Sequence, residues 1–351
     1  PAPTPTPSVT PASSGGVFGI SGRVPASRVT LRTLLDQALV RPTDLAFHPD
    51  GSLWITDRER DSVIVIFDAG LPTLRGNVFK DDSDHFNNNP MALAFSSVRQ
   101  EFATALDNRN DYNGRGVANN FMGPTLWPLT HADFTGAAGS HLDMLHHSPN
   151  AVGIAAGGPW TGGGADPREY WVFNGDKGSI DRYLFGRPHV PGGHDHSDGL
   201  TFRYGSGLSR VAAVPGHLAL DAQSGILYIA DTGNGRIATL DTRATAMSSS
   251  NPIRGHHDET PLYSIRGARI ETLTAAGLSQ PAGLILHEGK LVVSDHATGR
   301  IHVFALDGSS LGSADTGLGP NAIMGINVAP NGKLVLADAG QGRILEASIG
   351  R

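Results

Sequence analysis

Four stretches of this chain carry one order of side chains, and a repeated order limits the possible folds more than any single motif does. They run Pro42-Thr43-Asp44-Leu45-Ala46-Phe47 to Asp57, Gly216-His217-Leu218-Ala219-Leu220 to Asp231, Pro281-Ala282-Gly283-Leu284 to Asp295, and Met324-Gly325-Ile326 to Asp338. Each reads as an apolar strand, a short turn with Asp, Asn or Gly, a second apolar strand ending in Asp, a Gly-rich turn, then Arg and a third alternating strand. A unit of this size cannot bury its apolar face alone, whereas stacked copies bury a continuous core. The strands are marked by alternation and by β-branched or aromatic content, as in Ser52-Leu53-Trp54-Ile55-Thr56 and Ile226-Leu227-Tyr228-Ile229-Ala230. Leu31 to Leu39 is the one stretch with a hint of helical period.

Two further units are present in stretched form. Asn89-Pro90-Met91-Ala92-Leu93-Ala94-Phe95 leads to Asp107, and Ser148-Pro149-Asn150-Ala151-Val152-Gly153-Ile154 leads to Asn174. Six units predict an all-β, six-bladed β-propeller. The last unit runs out at Ile349 after three strands, so a fourth strand must come from elsewhere. We expect Val17 to Leu31 to pair there and close the ring, because an unclosed ring leaves long edges exposed. The predicted organisation is a flexible Pro/Thr/Ser-rich segment over residues 1–16 and one propeller over 17–351, with insertions at 108–148 and 156–168. The opening Pro-Ala-Pro-Thr-Pro-Thr-Pro-Ser has stalk composition and too few apolar groups to offset ordering entropy. With a first residue other than Met, it predicts a processed, exported protein: periplasmic, secreted or surface-tethered.

Composition narrows the partners. A formal charge of −6, from 27 Lys+Arg against 33 Asp+Glu, offers no broad basic surface to neutralise phosphates, which argues against nucleic acid. No apolar run approaches the ~20 residues of a membrane-spanning helix. The absence of Cys excludes disulfides and thiolate chemistry.

The stretch Tyr228-Ile229-Ala230-Asp231-Thr232-Gly233-Asn234-Gly235-Arg236-Ile237 resembles the signature of NHL-repeat propellers. Blades 1, 4, 5 and 6 match it well, and blades 2 and 3 match in outline. Within that family the peptidyl-hydroxyglycine amidating lyase is the informative comparison. The resemblance implies axial histidines, each directly after a Pro at the start of an innermost strand. The corresponding positions here are Thr43, Met91, Asn150, Gly216, Ala282 and Met324, none of them His. His217 comes one place later, which in a regular strand turns it to the other face unless a bulge intervenes. That lyase activity is therefore not expected.

The repeated Asp57, Asp107, Asp231, Asp295 and Asp338 read best as acceptors for backbone N–H groups at one turn position, not as a ring of acids. Arg236, Arg300 and Arg343 read as partners between blades. Histidine is the better clue to chemistry. It clusters in His141-Leu142-Asp143-Met144-Leu145-His146-His147, in His194-Asp195-His196-Ser197-Asp198, and at His217. Imidazole with carboxylate suits Zn, Cu, Ni or Fe(II). His194 and His196 share one face if extended, with Asp198 back on that face, and His141 and Asp143 stand in the same relation. The expected metal ligands are His146, His196 and His217, then Asp143, Asp198, His141 and His194. Separate structural roles for these histidines, or a Ca²⁺ held by loop oxygens, are the alternatives.

No Gly-x-Ser-x-Gly, Walker A or His-Glu-x-x-His pattern occurs. The Gly-rich Gly157 to Gly164 reads as a loop whose Trp160 covers a pocket or packs on a neighbour. The apolar stretch from Asn119 to Pro128 reads as a buried strap across one face. The sequence thus points to an exported propeller with a His/Asp metal site near blades 3 and 4 that binds a small molecule or a protein partner. An open coordination position would make it a metal-dependent lyase or hydrolase. A third reading is a metal-free interaction platform using Trp127 or Trp160. No catalytic residue is assigned.

Overall fold

The structure, a computed structural model, describes residues 29–36, 39–67, 75–80, 86–96, 99–109, 122–130, 141–157, 168–187, 190–193, 199–248, 253–254 and 261–349. Trp160, His194, His196 and Asp198 lie outside the described residues, as do residues 1–28 and with them most of the stretch expected to close the ring.

Six sheets, each led by an inner strand, form the blades. The chain begins with β1 (Val29–Leu35). Blade 1 is β2 (Pro42–Phe47), β3 (Leu53–Asp57), β4 (Ser62–Phe67) and β5 (Arg75–Lys80), and blade 2 is β6 (Pro90–Phe95), β7 (Glu101–Leu106), β8 (Thr125–Pro128) and β9 (Asp143–Met144). Blade 3 is β10 (Ala151–Ala156), β11 (Arg168–Asn174), β12 (Ser179–Phe185) and β13 (Leu200–Tyr204). Blade 4 is β14 (Leu218–Asp221), β15 (Ile226–Asp231) and β16 (Arg236–Asp241). Its connection then makes β17 (Ile253–Arg254) and β18 (Pro261–Ile265) before the fourth strand, β19 (Ile270–Thr274). Blade 5 is β20 (Pro281–His287), β21 (Lys290–Asp295), β22 (Arg300–Ala305) and β23 (Ser310–Asp315). Blade 6 is β24 (Ile323–Val328), β25 (Leu334–Asp338) and β26 (Arg343–Ile349), with β1 as its fourth strand.

The chain is an all-β, six-bladed propeller whose ring is closed by an early strand. That strand pairs antiparallel with β26, Val29 opposite Ile349 and Arg32 opposite Glu346. The hint of helical period from Leu31 is overridden here, because the open edge of β26 supplies a backbone ladder that an isolated short helix cannot match. β18 pairs parallel with β13, so the blade 4 connection reaches back and covers the outer edge of blade 3.

Thr125–Pro128, inside the stretch read as an insertion, is the third strand of blade 2. Leu126 and Trp127 are fully buried, and the Trp127 Nε1–H donates to Thr104 Oγ1 at 2.9 Å. That part of the apolar stretch is buried as expected, but as a blade strand and not as a strap. The core lies between neighbouring sheets: Trp54, Val63, Phe102 and Trp127, for example, join blades 1 and 2.

Four of the five repeated carboxylates, those of Asp57, Asp231, Asp295 and Asp338, accept main-chain N–H groups beside their turns. Asp57 accepts the Val40 and Arg41 N–H groups, Asp231 the Ser209 N–H, and Asp295 those of Ser279, Gln280 and Thr298. Arg236 and Arg343 donate to Asp231 and Asp338 of their own blades, and Arg300 reaches Ser313 of its own blade, where pairing between blades was expected. Arg and Asp face one another at the end of one hairpin, so the local partner is nearer than any on the next sheet.

Candidate functional site on the propeller axis

The six inner strands can be aligned by the residue lying opposite the position two before the end of each second strand, at Asp57, Leu106, Asn174, Asp231, Asp295 or Asp338. That residue is Leu45, Leu93, Ile154, Leu218, Leu284 or Ile326. The preceding residue is Ala92, Gly153, Gly283 or Gly325 in four blades, Asp44 in blade 1 and His217 in blade 4. A Cβ at Gly153 would fall 2.0 Å from the carbonyl oxygen of Gly216, and one at Gly325 would fall 2.7 Å from Cα of Asp44. Small residues here let adjacent inner strands approach closely, which narrows the centre of the ring.

Blades 1 and 4 are opposite in a ring of six, and their two polar side chains meet across the axis. His217 Nε2 lies 3.6 Å from Asp44 Oδ1. Both line an axial cavity of about 110 Å³ together with the leucines and isoleucines of the aligned row. Asp44 Oδ1 accepts the Leu45 N–H at 2.7 Å, and Oδ2 accepts the Leu93 N–H of blade 2 at 2.9 Å. His217 is fixed through its main chain, its N–H donating to Ala282 of blade 5. Burial pushes the Asp44 carboxyl above its ordinary range, against the pull of His217 and of the two N–H donors.

His217 stands immediately before the paired residues of β14, which begin at Leu218, and the inner strands of the other five blades are bulged at their starts. Register shifts occur between Pro42 and Asp44, Pro90 and Ala92, Ala151 and Gly153, Pro281 and Leu284, and Ile323 and Ile326. A bulge puts an extra residue into the strand, so counting places from the Pro does not predict the face.

The face on which inner strands begin, here called upper, is crossed by residues 208–215, the connection from β13 to β14. Leu208 N–H donates to Gly178 of blade 3 and Ser209 N–H to Asp231 of blade 4. Arg210 and the Ala213 N–H both bind Asp107 of blade 2, Arg41 of blade 1 donates to the Ala213 carbonyl at 3.4 Å, and Val214 packs on Ala282 and Met324 of blades 5 and 6. A segment that touches all six blades lies over the axis. Asp107 serves it because β7 ends at Leu106, which occupies the usual register of the turn carboxylate and leaves Asp107 one place later, facing inward.

The lower face differs. A second cavity of about 510 Å³ opens there among the ends of β14, β20 and β24, lined by Leu220, Leu286, His287 and Val328. It shares Leu218, Leu284, Ile285 and Asn327 with the axial cavity.

The other expected ligands sit elsewhere. His141 stacks on Phe86 with ring centroids 3.5 Å apart, and Asp143 accepts the Met144 N–H. The His146 carbonyl accepts the Tyr183 hydroxyl at 2.7 Å, on the third strand of blade 3, and His146 does not line the axial cavity with His217. Among the described residues, no three His, Cys, Asp or Glu side chains are placed to hold one metal ion. The axial pair does not fit Ca²⁺ either, which takes six to eight oxygen ligands, whereas the pair offers one carboxylate and an imidazole. Sequence reasoning missed Asp44, although the aligned row marks it: one carboxylate and one imidazole among four small residues.

No family model matches the chain, and no curated protein matches it by sequence. Solved structures match it in fold. An auxiliary nutrient binding protein from Bacteroides ovatus has a TM-score of 0.57 at 10% identity, over 93% of this chain and 78% of that one. A calcium-binding protein, regucalcin, from Agrobacterium tumefaciens scores 0.55 at 15% identity, over 93% and 96%. A catalytically inactive variant of virginiamycin B lyase from Staphylococcus aureus, solved with quinupristin, scores 0.52 at 14% identity, over 92% and 89%.

Proposed function

With the chain folded as a six-bladed propeller, we propose that it binds a small molecule in its axial channel through Asp44 and His217. The observation that carries this reading is the meeting of a buried carboxylate and a buried imidazole, from opposite blades, at the wall of a cavity. Concave, mostly apolar sites with a few convergent polar groups are where small ligands bind. A nutrient binding protein and a lyase solved with quinupristin share the fold, which is consistent with small-molecule handling. The large exposed hydrophobics among the described residues, Val40, Val190 and Met247, come from three separate connections, which favours a small ligand over a broad protein-docking surface.

The test is a thermal-shift screen of small molecules on wild type, Asp44→Asn and His217→Gln. A ligand at one hundred times its Kd should stabilise the wild type by about 2.7 kcal/mol. Both variants should lose most of that gain. Ligands that stabilise all three proteins equally would remove the axial site.

A metal site at the second histidine cluster is the other reading, and one feature favours it. The Gly192 N–H donates to the His141 carbonyl at 3.0 Å, and Gly199 lies against the Leu145 side chain. The chain therefore enters and leaves residues 194–198 beside the segment bearing His141, Asp143 and His146. In this reading His194, His196 and Asp198 join them around a divalent transition metal, and His217 belongs to the axial pair instead. Elemental analysis of untagged protein should give near-unit metal, strongly reduced by His146→Ala and unchanged by His48→Ala. Equal occupancy in both variants would discard the site.

A further inference from the structure

We propose that the axial ligand enters from the lower face and is a small apolar molecule ending in a hydroxyl group. This rests on the axial-site reading above and adds a route and a ligand class to it.

The route follows from what covers each end. Above, residues 208–215 bridge all six blades, and their anchors include the Arg210–Asp107 ion pair at 2.8 Å. Below, no such segment is found among the described residues, and the 510 Å³ mouth continues into the axial cavity through shared walls. A volume of that size lies in the range of small-molecule pockets.

The ligand class follows from the order of chemistry along that route. Leu220, Leu286, Val328, Leu218, Leu284 and Ile285, which also pack between the blades, border the mouth and neck beside His287 and Asn327, and they favour an apolar body for the ligand. At the inner end His217 Nε2 is buried and has no hydrogen-bond partner, 3.6 Å from Asp44 Oδ1. That spacing is too long for a hydrogen bond between them and lets one ligand atom contact both. A hydroxyl both donates and accepts, so it satisfies a carboxylate oxygen and an imidazole N–H at once. Asn327 does not compete for it, since its amide donates to the Leu45 carbonyl and its oxygen accepts the Val328 N–H.

The experiment is titration calorimetry with a series of n-alkanols and their methyl ethers. Affinity should rise roughly fourfold for each added CH₂ until the mouth is filled. The ethers should bind at least tenfold more weakly than the alcohols of equal length. Asp44→Asn and His217→Gln should erase the difference between alcohol and ether. Leu286→Lys should weaken every alcohol, and if that variant does not fold, His287→Trp obstructs the same mouth from the rim. Arg210→Ala, which loosens the upper cover, should leave affinity and on-rate unchanged. If alcohols bind in a way that depends on Asp44 and His217 but respond to Arg210→Ala and not to the rim variants, the lower route is wrong and the axial site stands. Equal binding of alcohols and ethers would overturn the ligand class. If no alcohol binds and a screened ligand of other chemistry depends on Asp44, the ligand class again fails while the axial site survives.

Discussion

The aligned row of inner-strand residues concentrates two opposite demands at single positions. Four blades need a side chain small enough for backbones to approach within contact, and two place a titratable group in the gap so formed. Asp44 is held above the ordinary carboxylate range mainly by burial, so the folded protein binds its proton more tightly than the unfolded chain does. By linkage its contribution is full at low pH and declines as pH rises from about 4, the unfolded carboxyl value, through the raised folded one. Asp44→Asn does not titrate, so its melting temperature relative to wild type should improve as pH rises above about 4 and level off once the folded carboxyl has ionised. A constant difference across that range would show that Asp44 is not strained by burial. Asp44 was legible in the sequence only as part of a repeat. Its role was not, because a bulge hides which face each residue takes.

At the scale of elements, the approach to blade 3 and the cover over the axis are both held by arginine. Asp181 on β12 is fully buried and takes a bidentate bond from Arg203 at 2.7 and 2.8 Å, and the same guanidinium donates to the His147 carbonyl. Burial opposes the charge on Asp181, yet Arg203, Asn174 and Ser148 together hold the carboxyl below its ordinary range. That contribution is present above about pH 4 and lost as pH falls, the reverse of Asp44. Arg203→Ala leaves a buried carboxylate without its counter-charge and should cost about 3–5 kcal/mol in urea unfolding at pH 7. A loss under 1 kcal/mol would show that the pair is not the anchor. For the cover, Asp107→Asn removes the charge that holds Arg210 and Arg58. Trypsin cleavage after Arg210 should accelerate about tenfold with little change in melting temperature, since local opening is governed by its own free energy. No signal in the sequence announced the cover, because Arg210 and Asp107 are 103 residues apart and Asp107 reads there as one of the repeated turn carboxylates.

For the molecule as a whole, six apolar-strand units with a short last one were enough to infer a ring and the need for a borrowed strand. The borrowed strand itself is Val29–Leu35, at the far end of the stretch expected, because Val17 to Leu31 carries no stronger alternation than the residues that follow it. β1 brings Arg32 to Glu346, which also takes Lys333 at 2.8 Å. Arg32 is half exposed, so Arg32→Ala should cost no more than about 1 kcal/mol. Deleting residues 29–35 should cost far more and produce association through the bared edge of β26, read by denaturant midpoint and by size-exclusion chromatography. A truncated chain that stays monomeric with an unchanged midpoint would refute closure by β1.

The pairing of Arg32 with Glu346 spans 314 positions. During synthesis β1 emerges early and waits without its ladder until residue 349 has left the ribosome. At about 5–20 residues per second that wait lasts tens of seconds. The nascent ring must therefore be shielded, or fold slowly enough that the waiting strand finds its own β26 before another chain's.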